Sequence, residues 1–186
     1  MKKIMLFAVF SALLCGCGGG DYISEADCQA LCDKNLECDP DTNVTECVAE
    51  CEEAKQLIRG AVFDAMTDCV LDLPCNSEQG EACLEAAMAK APSGASDGLI
   101  RTMCQKQIDC AGGTGEMTVS ACVAAAKEQA GEYLEYLNAF KATVLSCLSS
   151  CVSKLSCTDL ESDDFMTPCM EQCGIPTDED TNNPPP

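Results

Sequence analysis

The spacing of its cysteines constrains this chain more than any other feature. Of 18 cysteines, Cys15 and Cys17 lie near the start and the other 16 run from Cys28 to Cys173. The first five read Cys28-x3-Cys32-x5-Cys38-x8-Cys47-x3-Cys51, and the last five Cys147-x3-Cys151-x5-Cys157-x11-Cys169-x3-Cys173. Between them stand Cys69-x5-Cys75-x7-Cys83 and Cys104-x5-Cys110-x11-Cys122, each the same pattern without its two outer cysteines. The vacated positions hold Ala65 and Ala87 in one set and Ile100 and Ala126 in the other. Outer positions that vanish together are the trace of a bond lost as a pair, so outer pairs with outer and inner with inner. Cys-x3-Cys also places two sulfurs one turn apart on one helical face. Two such helices, antiparallel about a short loop, form a two-rung ladder. The spacing therefore predicts Cys28–Cys51, Cys32–Cys47, Cys69–Cys83, Cys104–Cys122, Cys147–Cys173 and Cys151–Cys169.

The motif is similar to that of the plant α-hairpinins, which carry Cys-x3-Cys on two helices. This chain differs by its middle cysteine and its fourfold repetition, so the resemblance carries over the hairpin geometry alone and says nothing of activity.

Between the loops the sequence reads as helix, and the expected fold class is all-α, with disulfide-stapled helical hairpin repeats. Ser24 stands as an N-cap before a helix over 25–37. Asn43-Val44-Thr45-Glu46 resembles a capping box opening a long helix to about Asp72. Short helices are expected over 76–90 and 96–109, a second long one over 118–153, and a last short one from Thr167-Pro168 to near Gly174. Asp39-Pro40, Leu73-Pro74, Pro92-Ser93-Gly94 and Gly112-Gly113-Thr114-Gly115 mark loops. Short, long, short recurs twice. This predicts a tandem duplication with repeats at 24–90 and 97–174, a linker at 91–96, and a four-helix-bundle-like body of two long and four short helices.

Four cysteines remain, Cys38, Cys75, Cys110 and Cys157, one near each hairpin loop. A continuous helix of about 30 residues is roughly 45 Å long. It would hold Cys38 and Cys75 at opposite ends, unless it breaks at Gly60. A disulfide needs Cα atoms about 5.5 Å apart. With unbroken long helices packed antiparallel, the expected bonds are Cys38–Cys157 and Cys75–Cys110.

The chain opens Met1-Lys2-Lys3 and runs apolar from Ile4 to Leu14. A short basic region before an apolar stretch of about 11 residues reads as a signal peptide. Leu14-Cys15-Gly16-Cys17 resembles the lipobox of bacterial lipoproteins, with Leu14 at −3, Gly16 at −1 and Cys17 as the lipidated residue. The resemblance implies a leader over 1–16, acyl chains on Cys17 and a flexible tether over 17–23 containing Gly18-Gly19-Gly20. Two or three acyl chains hold a protein stably at a membrane. Gly18 is not the aspartate that the family associates with inner-membrane retention. The expected location is thus the outer membrane, facing the periplasm or the cell exterior. With Cys17 acylated, an even set of cysteines is left to pair. The far end, 175–186, is acidic and proline-rich and reads as a disordered tail.

Without Lys2 and Lys3, 9 basic residues face 31 acidic ones, a net charge of −22. Nucleic acid and anionic headgroups are therefore poor partners. Cationic surfaces, basic peptides or divalent ions stay open, and an envelope or extracellular protein is the expected kind of partner. A simply solvated acidic surface explains the charge most plainly. Histidine and tryptophan are absent. Without histidine there is no Ser-His-Asp or Cys-His catalysis and no His-ligated zinc. No Cys-x-x-Cys occurs, which disfavours thioredoxin-like redox sites. Asp39, Asp41, Asn43 and Glu50 fall at calcium-loop spacing, but Val44 stands where the sharp turn wants glycine, and an acidic turn with an N-cap explains them more simply. Asp159, Glu161, Asp163 and Asp164 read as a solvated acidic loop. The sequence thus predicts a membrane-anchored structural or binding module without cofactor or enzymatic activity. The alternative is an extracytoplasmic thiol-redox protein or enzyme.

Overall fold

The computed structural model of the protein describes Ser24 and residues 26–75, 79–112, 117–162 and 164–177. The leader, Cys17 with its tether, and the tail beyond Thr177 lie outside these residues. Among the described residues the chain is all-α, as the spacing predicts: ten helices, no strand, and one isolated antiparallel bridge between Ile58 and Phe140.

The described residues divide into two compact units, one formed by those up to 93 together with 138–142, the other by those of 94–137 together with those from 143 onward. The first unit holds α1 (Cys28–Cys38), α2 (Val44–Ala54), α3 (Gly60–Asp72) and α4 (Gly80–Met88). Asp27, not Ser24, caps α1, accepting from the N–H groups of Gln29 and Ala30. The Ser24 hydroxyl donates instead to Asp64 Oδ1 at 2.5 Å. Asn43 caps α2 as its sequence predicts, accepting from the Glu46 N–H. The apolar faces of α1 to α3 close around Cys28, Cys51, Ala54 and Phe63. Phe63, wholly buried, is the largest side chain in that cluster, so the disulfide Cys28–Cys51 lies within the core and substitutes for the aromatic mass this chain lacks.

The second unit holds α5 (Asp97–Cys110), α6 (Val119–Gln129), α7 (Gly131–Asn138), α8 (Ala142–Lys154), α9 (Cys157–Leu160) and α10 (Thr167–Gln172). The end residues Asn138 and Ala142 count with the first unit. Its core is built from Leu99, Leu148 and Val152 together with Cys104, Cys151 and Cys169, all buried. Gly174, at φ +73°, ends α10: its N–H donates to the Glu171 carbonyl, and the Ile175 N–H to that of Met170. This double closure needs a left-handed residue at that point, which glycine adopts without a Cβ penalty.

Neither expected long helix is continuous. The first stops at Ala54 and restarts at Gly60; the second is interrupted at Ala130 and again between Asn138 and Ala142. That changes the disulfides. Cys28–Cys51, Cys32–Cys47, Cys69–Cys83, Cys104–Cys122, Cys147–Cys173 and Cys151–Cys169 are present with Cα separations of 5.5–5.8 Å. The expected Cys38–Cys157 and Cys75–Cys110 are not: the structure joins Cys38 to Cys75 and Cys110 to Cys157, with Cα atoms 5.0 and 5.3 Å apart. The reason is the break before Gly60. It turns the chain back so that α3 lies beside α1 in the same direction, with Ser24 meeting Asp64 at their starts and Cys38, the last residue of α1, meeting Cys75 just past the end of α3. The second unit repeats this near the ends of α5 and α8, where Lys106 Nζ donates to the Ser153 carbonyl at 3.3 Å.

Each unit is thus two disulfide hairpins tied loop to loop. Cys38 lies in the loop closed by Cys32–Cys47, and Cys75 in that closed by Cys69–Cys83. Cys110 and Cys157 bear the same relation to Cys104–Cys122 and Cys151–Cys169.

Candidate functional site

The interruption between α2 and α3 is a built feature of the first unit. The last turn of α2 tightens, with the Gln56 N–H donating to Glu53 and the Leu57 N–H to Ala54. The chain then runs extended through Ile58. Asn138–Ala142 lies against it, the Arg59 N–H donating to the Ala139 carbonyl and the Lys141 N–H to that of Leu57, both at 2.9 Å. Leu57, Ile58, Ala139 and Phe140 are buried, and the two backbone bonds that flank Ile58 and Phe140 replace helical bonds where the chain has left the helix.

Two basic side chains complete this clasp from opposite sides. Arg59 Nε donates to the Asn138 carbonyl at 3.0 Å, and Lys141 Nζ to the Lys55 carbonyl at 3.1 Å. Those carbonyls end α7 and α2, where the last turn has no intrahelical donors left. A cation suits that position, because the helix dipole places partial negative charge there. Both cations are buried, Arg59 at 7% exposure and Lys141 at 4%. Sequence reasoning missed them. The signal was present: Leu57-Ile58-Arg59 and Ala139-Phe140-Lys141 are the same apolar, apolar, basic triplet.

The calcium-spaced residues are not brought together. The Asp39 carboxylate accepts from the Asp41 N–H at 3.1 Å, and Asn43 is occupied at its cap, with its amide on Glu46 Oε2. Glu50 stands further along α2. Burial, with Glu46 and then Glu53 nearby, pushes its carboxyl above the usual value. Among the described residues no group of three His, Cys, Asp or Glu converges as a metal ion requires. The expected acidic loop contains α9, opened by a capping box in which Ser156 and Asp159 bond each other's backbone N–H. Those bonds from Ser156 hold Asp159 below the usual carboxylate range. Asp163 lies outside the described residues.

Every described cysteine is in a disulfide. The six hairpin bonds use buried or half-buried cysteines, whereas Cys38 and Cys157, in the two ties, are exposed. No described helix is long and apolar enough to cross a membrane. No protein-family model, curated protein or solved structure matches this chain.

Proposed function

We propose that the protein is a lipid-anchored module of a bacterial cell envelope that presents a stiff, acidic, cross-linked surface to a protein partner. One observation carries the anchor: Leu14-Cys15-Gly16-Cys17 follows a basic and apolar leader and sets Cys17 apart from sixteen cysteines that all pair. A chain so cross-linked suits an oxidising compartment and resists the local openings that proteases use. Its charge supports a cationic partner surface. The outer membrane is the assigned location, by the residue after the cysteine.

The anchor is tested by metabolic labelling with a fatty acid. Wild type should take up label and fractionate with membranes. Cys17→Ser should take up none, and label persisting in that variant would overturn the reading. The partner is sought by affinity capture from envelope extracts with the acyl-free protein, using a charge-matched acidic protein as control. Recovery of the same proteins by both would dismiss a specific partner. The rival, a thiol-redox protein, requires reactive thiols: rapid alkylation of two or more in the oxidised protein would favour it.

A further inference from the structure

None of the eight disulfides joins cysteines that are consecutive in the described chain. Cys28 pairs past three other cysteines, and Cys32 past Cys38. Loop closure favours near neighbours in an unfolded chain. Cys28 and Cys32 are four positions apart, as are Cys147 and Cys151, and an oxidant meeting the chain before it folds would join such neighbours. The native bonds also interlock. Each tie, Cys38–Cys75 or Cys110–Cys157, links two loops already closed by hairpin bonds, and spans 37 or 47 residues against 14–26 for the rest. Once wrong neighbours are joined, no further oxidation corrects them.

We infer that this protein is a substrate of a dithiol disulfide isomerase, which reaches the native set by exchange and acts last at the two ties, each of which has one exposed cysteine. The exchange is redox-neutral. The enzyme's thiolate attacks one sulfur of a wrong bond, forming a mixed disulfide and expelling the other sulfur as a thiolate. That thiolate attacks a second protein disulfide, and bonds exchange one for one. A released protein thiolate finally attacks the protein sulfur of the mixed disulfide, forming a native bond and returning the enzyme's thiolate. The structure supplies the access: Cys38 and Cys157 are exposed, and no cysteine of a hairpin bond is. Slow closure of the longer loops and surface access select the same two bonds. The inference rests on the export reading only for the compartment in which the enzyme is met.

The test refolds the mature chain, extracted in detergent and fully reduced in denaturant, in two arms. One contains diamide alone. The other contains diamide followed by a trace of dithiothreitol and a purified dithiol isomerase. Disulfides are mapped by non-reducing proteolysis. Diamide alone should leave mostly non-native bonds, Cys28–Cys32 and Cys147–Cys151 among them, and exchange should raise the native set severalfold. Equal native yields in the two arms, high or low, would overturn the inference. In a second measurement the folded protein is titrated with dithiothreitol, a neutral reductant that the acidic surface does not repel, and alkylated. Label should enter Cys38, Cys75, Cys110 and Cys157 first; label entering hairpin cysteines first would overturn the assignment to the ties. The mass of the Cys17 peptide from the same sample reports acylation separately. An unacylated Cys17 would remove the anchor and leave the refolding result standing.

Discussion

At the scale of single residues, stability is concentrated where a polar group is buried or a backbone angle is unusual. Thr67 is buried on α3 and its hydroxyl has no hydrogen-bond partner. A buried unpaired hydroxyl is a net cost that an isosteric methyl removes. Thr67→Val should stabilise the protein by about 1 kcal/mol, read as a higher urea midpoint with disulfides intact. Gly174 is the opposite case. Its positive φ makes Gly174→Ala cost about 1 kcal/mol, and an unchanged midpoint would show that α10 does not end through this residue. Glu50 gives a pH-dependent effect. Its carboxyl is raised above the ordinary 4.5 by burial and by Glu46 and Glu53, so the folded state holds the proton more tightly than the unfolded state. Ionisation therefore costs stability, and that cost grows as pH rises from about 4.5 through the raised value. Glu50→Gln should raise the melting temperature at pH 7, with the gain fading as pH falls below 4.5; a gain independent of pH would assign the effect to packing.

At the scale of elements, the helix ends are the legible part. Asn43, Thr118 and Pro168 mark starts that the structure keeps, because a cap depends on groups within one turn of chain. Helix interiors mislead. The run from Val44 to Asp72 has helical patterning throughout, and only Gly60 hints at a break. Propensity at one glycine is worth about 1 kcal/mol, too little to end a helix unaided. The clasp with Asn138–Ala142 adds what is missing, burying four apolar residues and bonding the freed backbone. Lys141 tests this. In Lys141→Met the chain keeps its apolar bulk but loses the donor to the part-buried Lys55 carbonyl, which should cost about 1–3 kcal/mol. Lys141→Arg should recover part of it, and equal stability of Lys141→Met and wild type would show that the clasp does not need its cation.

At the scale of the whole molecule, the two ties decide how the hairpins are held within each unit. A disulfide closing a loop of this length contributes about 3–4 kcal/mol, chiefly by restricting the unfolded chain. The double variant Cys38→Ala/Cys75→Ala should lose that amount in chemical denaturation while keeping Cys28–Cys51, Cys32–Cys47 and Cys69–Cys83. Scrambling of those three in the variant would show that the tie also specifies pairing. Its counterpart, Cys110→Ala/Cys157→Ala, should behave alike in the second unit.

The sequence by itself determined the helical class, the hairpin ladder and six of the eight bonds among the described residues, because Cys-x3-Cys on a helix fixes which sulfurs face each other in the first and last sets, and the vacated outer positions leave only the inner pair in the middle two. Only the tertiary structure decided the partners of Cys38, Cys75, Cys110 and Cys157. Their pairing depends on where two helices stop, and that is settled by contacts made between Leu57–Arg59 and Ala139–Lys141, some eighty residues apart in the chain.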